Sequence, residues 1–154
     1  MTGLVPDGAT LLRLVVPKPD FIGDDGGSAQ WLSIKPSPTD SLQAAERGHP
    51  VRVSVWDVTR TTFEQATAFR RRNDCLPFTL TAADVREVGG EVGVDAMAAV
   101  YDPLDEPESQ RPGADGHAGI EGLERGAKPN ESKESWKYRL HLLARRLKPF
   151  NPPR

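Results

Sequence analysis

The chain has 154 residues, of which 37% are hydrophobic and 27% charged, and its formal net charge is −2. That length carries one domain with a genuine core, and near-neutrality removes any global electrostatic reason to expect nucleic acid. Cys75 is the single cysteine, which excludes an internal disulfide framework and a cysteine zinc cluster.

Glycine and proline contribute 14 residues each, so loops take a large share of the chain. No run approaches the 18 or so apolar residues that a membrane span needs. The start, Met1-Thr-Gly-Leu-Val-Pro-Asp, has neither a basic n-region nor an apolar h-region. The expectation is a soluble, cytoplasmic protein with no membrane partner. Ala/Arg/Gly/Pro/Val-rich usage fits a GC-rich bacterial coding sequence.

Leu11-Leu-Arg-Leu-Val-Val reads as a buried strand closed by Pro17, and residues 18–29 as a turn-rich connection. Gln30-Trp-Leu-Ser-Ile-Lys reads as a second short strand ended by Pro36. Ser37-Pro-Thr-Asp40 starts a helix, with Ser at the N-cap, Pro at N1 and an acid at N3, and Gly48 stops it. Val51, Val53 and Val55 alternate with Arg52, Ser54 and Trp56, the pattern of a half-buried strand. Thr61-Thr-Phe-Glu64 reads as a capping box that opens a helix with Arg70-Arg71-Arg72 at its C-terminal end.

Pro77-Phe-Thr-Leu is extended. Thr81-Ala-Ala-Asp84 caps a brief helix expected to end at Gly89-Gly90, and the alternation from Val92 to Val100 reads as a strand. Residues 102–131 lack periodicity, and loops of such length are commonly functional. Trp136, Leu140, Leu143 and Leu147 form the buried stripe of a basic amphipathic helix, Ser132 to Lys148, stopped by Pro149. The expected fold is a single α+β domain over 1–148. It has a four- to five-stranded mixed sheet packed by three to four helices, and a Pro-rich tail follows at 149–154.

Charge divides sharply in the last third. Residues 102–124 hold seven acids against Arg111 alone, and from 125 onward nine Lys/Arg face Glu131 and Glu134. His117 lies among the carboxylates. On a helix it would share a face with Glu121 and Glu124; on a strand, His117, Gly119 and Glu121 would share one side and Ala118 and Ile120 the other. Imidazole with carboxylates suits general-base catalysis or a divalent metal. The catalytic candidates are His117, Glu121 and Asp102, and the metal-ligand candidates are His117, Asp105 and Glu121. The competing reading is a Gly-rich turn that docks Ile120 and Leu123 onto the core.

Lys137, His141, Arg145 and Lys148 would line one face of the last helix, flanked by Arg139 and Arg146, and could meet an acidic partner or phosphates. Trp56, on the polar phase of its strand, is a candidate partner contact, or is covered by a helix. The tail Pro149-Phe-Asn-Pro-Pro-Arg154 matches a polyproline-type pattern. Cys75 has no histidine near it in sequence to act as a base. Walker, dinucleotide-fingerprint, nucleophile-elbow, H-E-x-x-H and C-x-x-C motifs are all absent.

The leading expectation is a non-catalytic interaction module of a multi-protein system, binding a protein partner or a second copy of itself through residues 102–148, with no cofactor. The alternative is a metal-assisted or acid/base hydrolase centred on His117, with a divalent metal in its metal-assisted form. Nucleic-acid binding through the basic helix is a third, weaker reading.

Overall fold

Antiparallel pairing of six strands organises the chain. The computed structural model describes residues 3–24, 26–70 and 73–151. Its strands are β1 (Thr10–Val15), β2 (Arg52–Asp57), β3 (Leu76–Thr81), β4 (Ala98–Tyr101), β5 (His117–Glu121) and β6 (Lys148–Pro149). They form one open sheet in the order β4-β5-β2-β1-β3-β6. The α+β class agrees with expectation, but the sheet is antiparallel throughout rather than mixed and has one strand more than expected.

The helices are α1 (Pro38–Arg47), α2 (Phe63–Ala68), α3 (Ala82–Val92) and α4 (Lys133–Ala144). The first three open on reciprocal capping boxes, Ser37 with Asp40, Thr62 with Gln65 and Thr81 with Asp84. The cap of α2 is therefore Thr62, one residue later than the sequence suggested. Gly48 and Gly93 close α1 and α3 in the left-handed conformation.

One face of the sheet carries the main core. Val53 and Val55 of β2, Ala118 and Ile120 of β5 and Leu11, Phe78 and Leu80 pack there against Val85 and Val88 of α3 and Trp136, Leu140 and Leu143 of α4. On the opposite face Leu12, Leu14, Trp56, Ala66 and Cys75 make a smaller cluster with Phe63 and Phe69, and α1 and α2 stand to either side of an open cleft.

Four sequence expectations are corrected. Gln30–Lys35 is no strand: Trp31–Ser33 is a short 3-10 turn packed beside α4. Helix α3 runs through Gly89-Gly90 to Val92, so the expected 92–100 strand shrinks to β4, because Gly93 and not the Gly-Gly pair supplies the left-handed stop. The supposed loop 102–131 contains β5, buried between β2 and β4. The last helix ends at Ala144, and Lys148 belongs to edge strand β6, paired with β3. In the expected Pro-rich tail, Pro149 is in β6, and Pro152, Pro153 and Arg154 lie outside the described residues, as do Arg71 and Arg72.

Arg139, expected on a solvated basic face, is instead 1% exposed. Its guanidinium grips Glu131 at 2.6 and 3.0 Å and donates to the carbonyls of Gly122 and Glu124 at 2.7 and 2.8 Å. It thereby pins the segment after β5 to α4. Removing one partner of a buried pair strands the other charge, at a cost of roughly 3 kcal/mol or more. Glu131→Ala is accordingly expected to lower unfolding free energy by about that amount in urea titration, while Leu42→Ala, at a side chain 59% exposed, changes it little.

Candidate active site

Pairing parity decides what faces the cleft. In the β2–β5 register Val53 meets Ile120 and Val55 meets Ala118, which commits those residues to the core. The intervening pairs, Arg52 with Glu121, Ser54 with Gly119 and Trp56 with His117, must then project from the opposite side. These residues form the floor of a cleft of about 1110 Å³, walled by α1 (Thr39, Asp40, Gln43, Arg47), by Phe69 and Arg70 after α2, and by Asp102, Leu104, Glu108 and Arg111 of the loop before β5.

Two glycines make this floor possible. A Cβ on Gly119 would lie 2.6 Å from Arg52 Cβ, so its absence lets the Arg52 stem cross β5. Gly122 has φ +85°, and a Cβ there would meet the Met97 amide nitrogen at 2.6 Å, which fixes the turn that closes β5 against the chain before β4.

His117, 9% exposed, lies at the centre of the floor. Its Nδ1 is 2.7 Å from the Asp102 backbone carbonyl and 3.6 Å from the Asp102 carboxylate, and its Nε2 is 2.7 Å from Ser54 Oγ. A carbonyl oxygen only accepts, so Nδ1 must carry the hydrogen. The Nε2 lone pair of the neutral ring is then the acceptor for the Ser54 hydroxyl. Burial pushes the imidazole below its ordinary pKa, against upward pulls from the Asp102 carbonyl and carboxylate, while Arg47 and Arg52 push it lower still. Trp56 packs edge-on to the ring at 4.7 Å and is itself stacked on Phe69 at 4.7 Å, which holds the imidazole plane in place.

Of the catalytic candidates, then, His117 and Asp102 are brought into contact. Glu121 shares the face but stands at the other end of β5, bound to Arg52 Nε at 2.9 Å, while Arg52 Nη1 takes Asp102 at 2.9 Å. Asp105, a candidate metal ligand, is 79% exposed and pairs with Arg47 at 2.8 Å. His117, Asp105 and Glu121 do not converge, and no group of three His, Cys, Asp or Glu side chains among the described residues is arranged to hold a metal ion.

Trp56 is 5% exposed and covered by Phe69, so it is no surface anchor. Lys137 lies over the Trp31 ring at 4.8 Å, and His141 sits 6.4 Å from the same ring. Arg146 is bound to Asp84, Glu87 and Glu91 of α3. Arg145 and Lys148 stay exposed, but on the helix end and the edge strand respectively rather than on one helical face.

Sequence reasoning missed Ser54, Arg47, Arg70 and Arg111. For Ser54 the signal existed, since its alternation with Val53 and Val55 put it on the polar face of β2. Nothing in the sequence joined it to a histidine 63 positions away.

No protein-family model matches the chain, and no curated protein or solved structure matches it significantly.

The buried neutral imidazole makes stability pH-dependent. In the unfolded chain His117 takes a proton near the ordinary value of about 6.5, and in the folded chain only at lower pH. The unfolded state therefore binds more protons just below pH 6.5. This contribution to stability is present above that pH and is lost as pH falls through the depressed folded value. Melting curves between pH 7 and pH 5 are expected to show a decline that His117→Gln reduces; an unchanged decline in that variant would assign it to other groups.

Proposed function

We propose that the chain is an acid/base hydrolase in which Ser54 is the nucleophile, His117 the general base and Asp102 the residue that positions the base. The observation that carries this reading is the 2.7 Å contact between Ser54 Oγ and an imidazole whose other nitrogen is committed to Asp102, at the floor of an open cleft. The three roles match the serine–histidine–carboxylate arrangement, which is recognised by geometry and not by order in the chain.

The chemistry runs in two halves. Ser54 Oγ attacks the carbonyl carbon of an ester while its proton passes to His117 Nε2. The imidazolium that forms is held by the Asp102 carbonyl and by the field of its carboxylate 3.6 Å away. That proton then goes to the leaving alkoxide as the carbon–oxygen bond breaks, leaving an acylated Ser54. Water, deprotonated by the same Nε2, releases the acid and restores the hydroxyl. Arg47 is close enough to His117 to depress its pKa, and its carboxylate partner is exposed, so it is a cation available to the developing oxyanion.

An interaction module binding through residues 102–148 has less support. Arg139 and Arg146 are spent on internal carboxylates, and Lys137 is drawn to Trp31. Nucleic-acid binding through the same helix weakens for the same reason.

A general base contributes roughly 10²–10⁴ in rate. Hydrolysis of p-nitrophenyl acetate is expected to fall at least 100-fold in Ser54→Ala and in His117→Gln, with circular dichroism unchanged. The wild-type rate should rise with pH through a value below 6.5 and level off near neutrality, since only the unprotonated ring accepts the Ser54 proton. A fluorophosphonate probe should add its mass to Ser54 alone. Equal rates in wild type and Ser54→Ala, or labelling elsewhere only, would refute the assignment.

A further inference from the structure

Of the four arginines that line the cleft, one is left without a carboxylate partner among the described residues. Arg47, Arg52, Arg70 and Arg111 face Asp40, Asp102 and Glu108. Three of these arginines are committed: Arg52 to Asp102 and Glu121, Arg47 to Asp105, and Arg111 to Glu108 at 2.9 Å and to the Ala68 carbonyl at 2.7 Å. Arg70 differs. It has no carboxylate at ion-pair distance among the described residues, and its Nε is buried without a hydrogen-bond partner. Asp40, an acid on the cleft wall, is engaged by the Ser37 amide at 2.8 Å.

A second cation stands behind it. β1 and β2 pair only at Leu11–Asp57 and Leu12–Trp56, and Arg13 fills the wedge where they part, donating to the carbonyls of Ser54 and Ser33 at 2.9 Å each. Its charge has no carboxylate at ion-pair distance among the described residues; desolvation foremost, with Arg70 adding to it and Asp40 pulling the other way, lowers its pKa to about 10, so it stays cationic at neutral pH. Two guanidinium groups thus bias the electrostatic field on the Ser54 side of the cleft. A buried polar atom without a partner is rare in folded proteins, and a guanidinium group on a cleft wall that has no carboxylate of its own is matched by an anionic oxygen.

We infer that Arg70 anchors a carboxylate or phosphate group of the ligand that occupies the cleft beside Ser54, so that the substrate is an anionic ester. The substrate-class part rests on the hydrolase reading above; the anion site itself does not. Phe69, next to Arg70 in the chain and backed by Trp56, gives the same ligand an apolar wall. The pattern is that of a recognition site, a few placed charges against aromatic surface.

Calorimetric titration with inorganic phosphate and with succinate separates the two anion chemistries. One or both should bind wild type, and the tighter one identifies the anionic group. Arg70→Ala should weaken that binding at least tenfold, Arg70→Lys should weaken it less, and Ser54→Ala should leave it within about twofold. The same anion should inhibit p-nitrophenyl acetate hydrolysis competitively. Binding of neither anion at millimolar concentration, or equal binding by Arg70→Ala, would overturn the inference. Anion binding that Arg70→Ala weakens in a protein with no Ser54-dependent esterase activity would instead leave the anion site standing and remove the hydrolase.

Discussion

The register of β2 against β5 is the constraint on which the rest depends. Pairing Val53 with Ile120 and Val55 with Ala118 closes the core under α3 and α4, and by parity it delivers Ser54, Trp56 and His117 to the opposite side. A slip of one residue would bury Arg52 and Ser54 and expose two valines, so core burial and site geometry are specified together. Full burial of a valine or isoleucine side chain contributes about 1.5–3 kcal/mol, and that of an alanine methyl less. The four residues together therefore hold the register more firmly than the polar contacts of the cleft could.

On that floor, the polar groups are arranged so that a neutral histidine can persist. Asp102 is bound by Arg52, and Arg52 reaches it only because Gly119 leaves the space above β5 open. The loop before β5 returns Asp102 beside His117, where the Asp102 amide bonds the His117 carbonyl and the Asp102 carbonyl accepts from Nδ1. The same residue thus extends the ladder and sets the tautomer. Elsewhere the chain neutralises its charges internally, but not by joining the acid-rich segment to the base-rich one: Arg139 binds Glu131 of its own segment, and Arg146 binds the acids of α3.

Local signals were legible where the physics is local. The caps of α1 and α3, the alternation of β2 and the buried stripe of α4 all depend on residues within a few positions of one another, and all were readable. The strand β5 was not. Its glycines at 116, 119 and 122 look like a loop, yet they mark where Thr61, Arg52 and Met97 approach the backbone, contacts made by residues 25 to 67 positions away. For the same reason His117 and Asp102 were identifiable as chemistry, while Ser54, their partner across the sheet, was not. The basic stripe misled because one of its arginines, Arg139, faces inward, and only the presence of Glu131 at the right depth makes that tolerable.

The central claim is that His117 is a neutral base with its Nδ1 protonated and its Nε2 lone pair turned to Ser54. Nitrogen-15 correlation spectra of the imidazole rings test it directly, with His117→Gln assigning the signal among the three histidines. The account predicts a protonated-type shift at Nδ1 and an unprotonated-type shift at Nε2, holding from pH 8 to below 6.5. A ring protonated at Nε2, or one already doubly protonated at neutral pH, would contradict it.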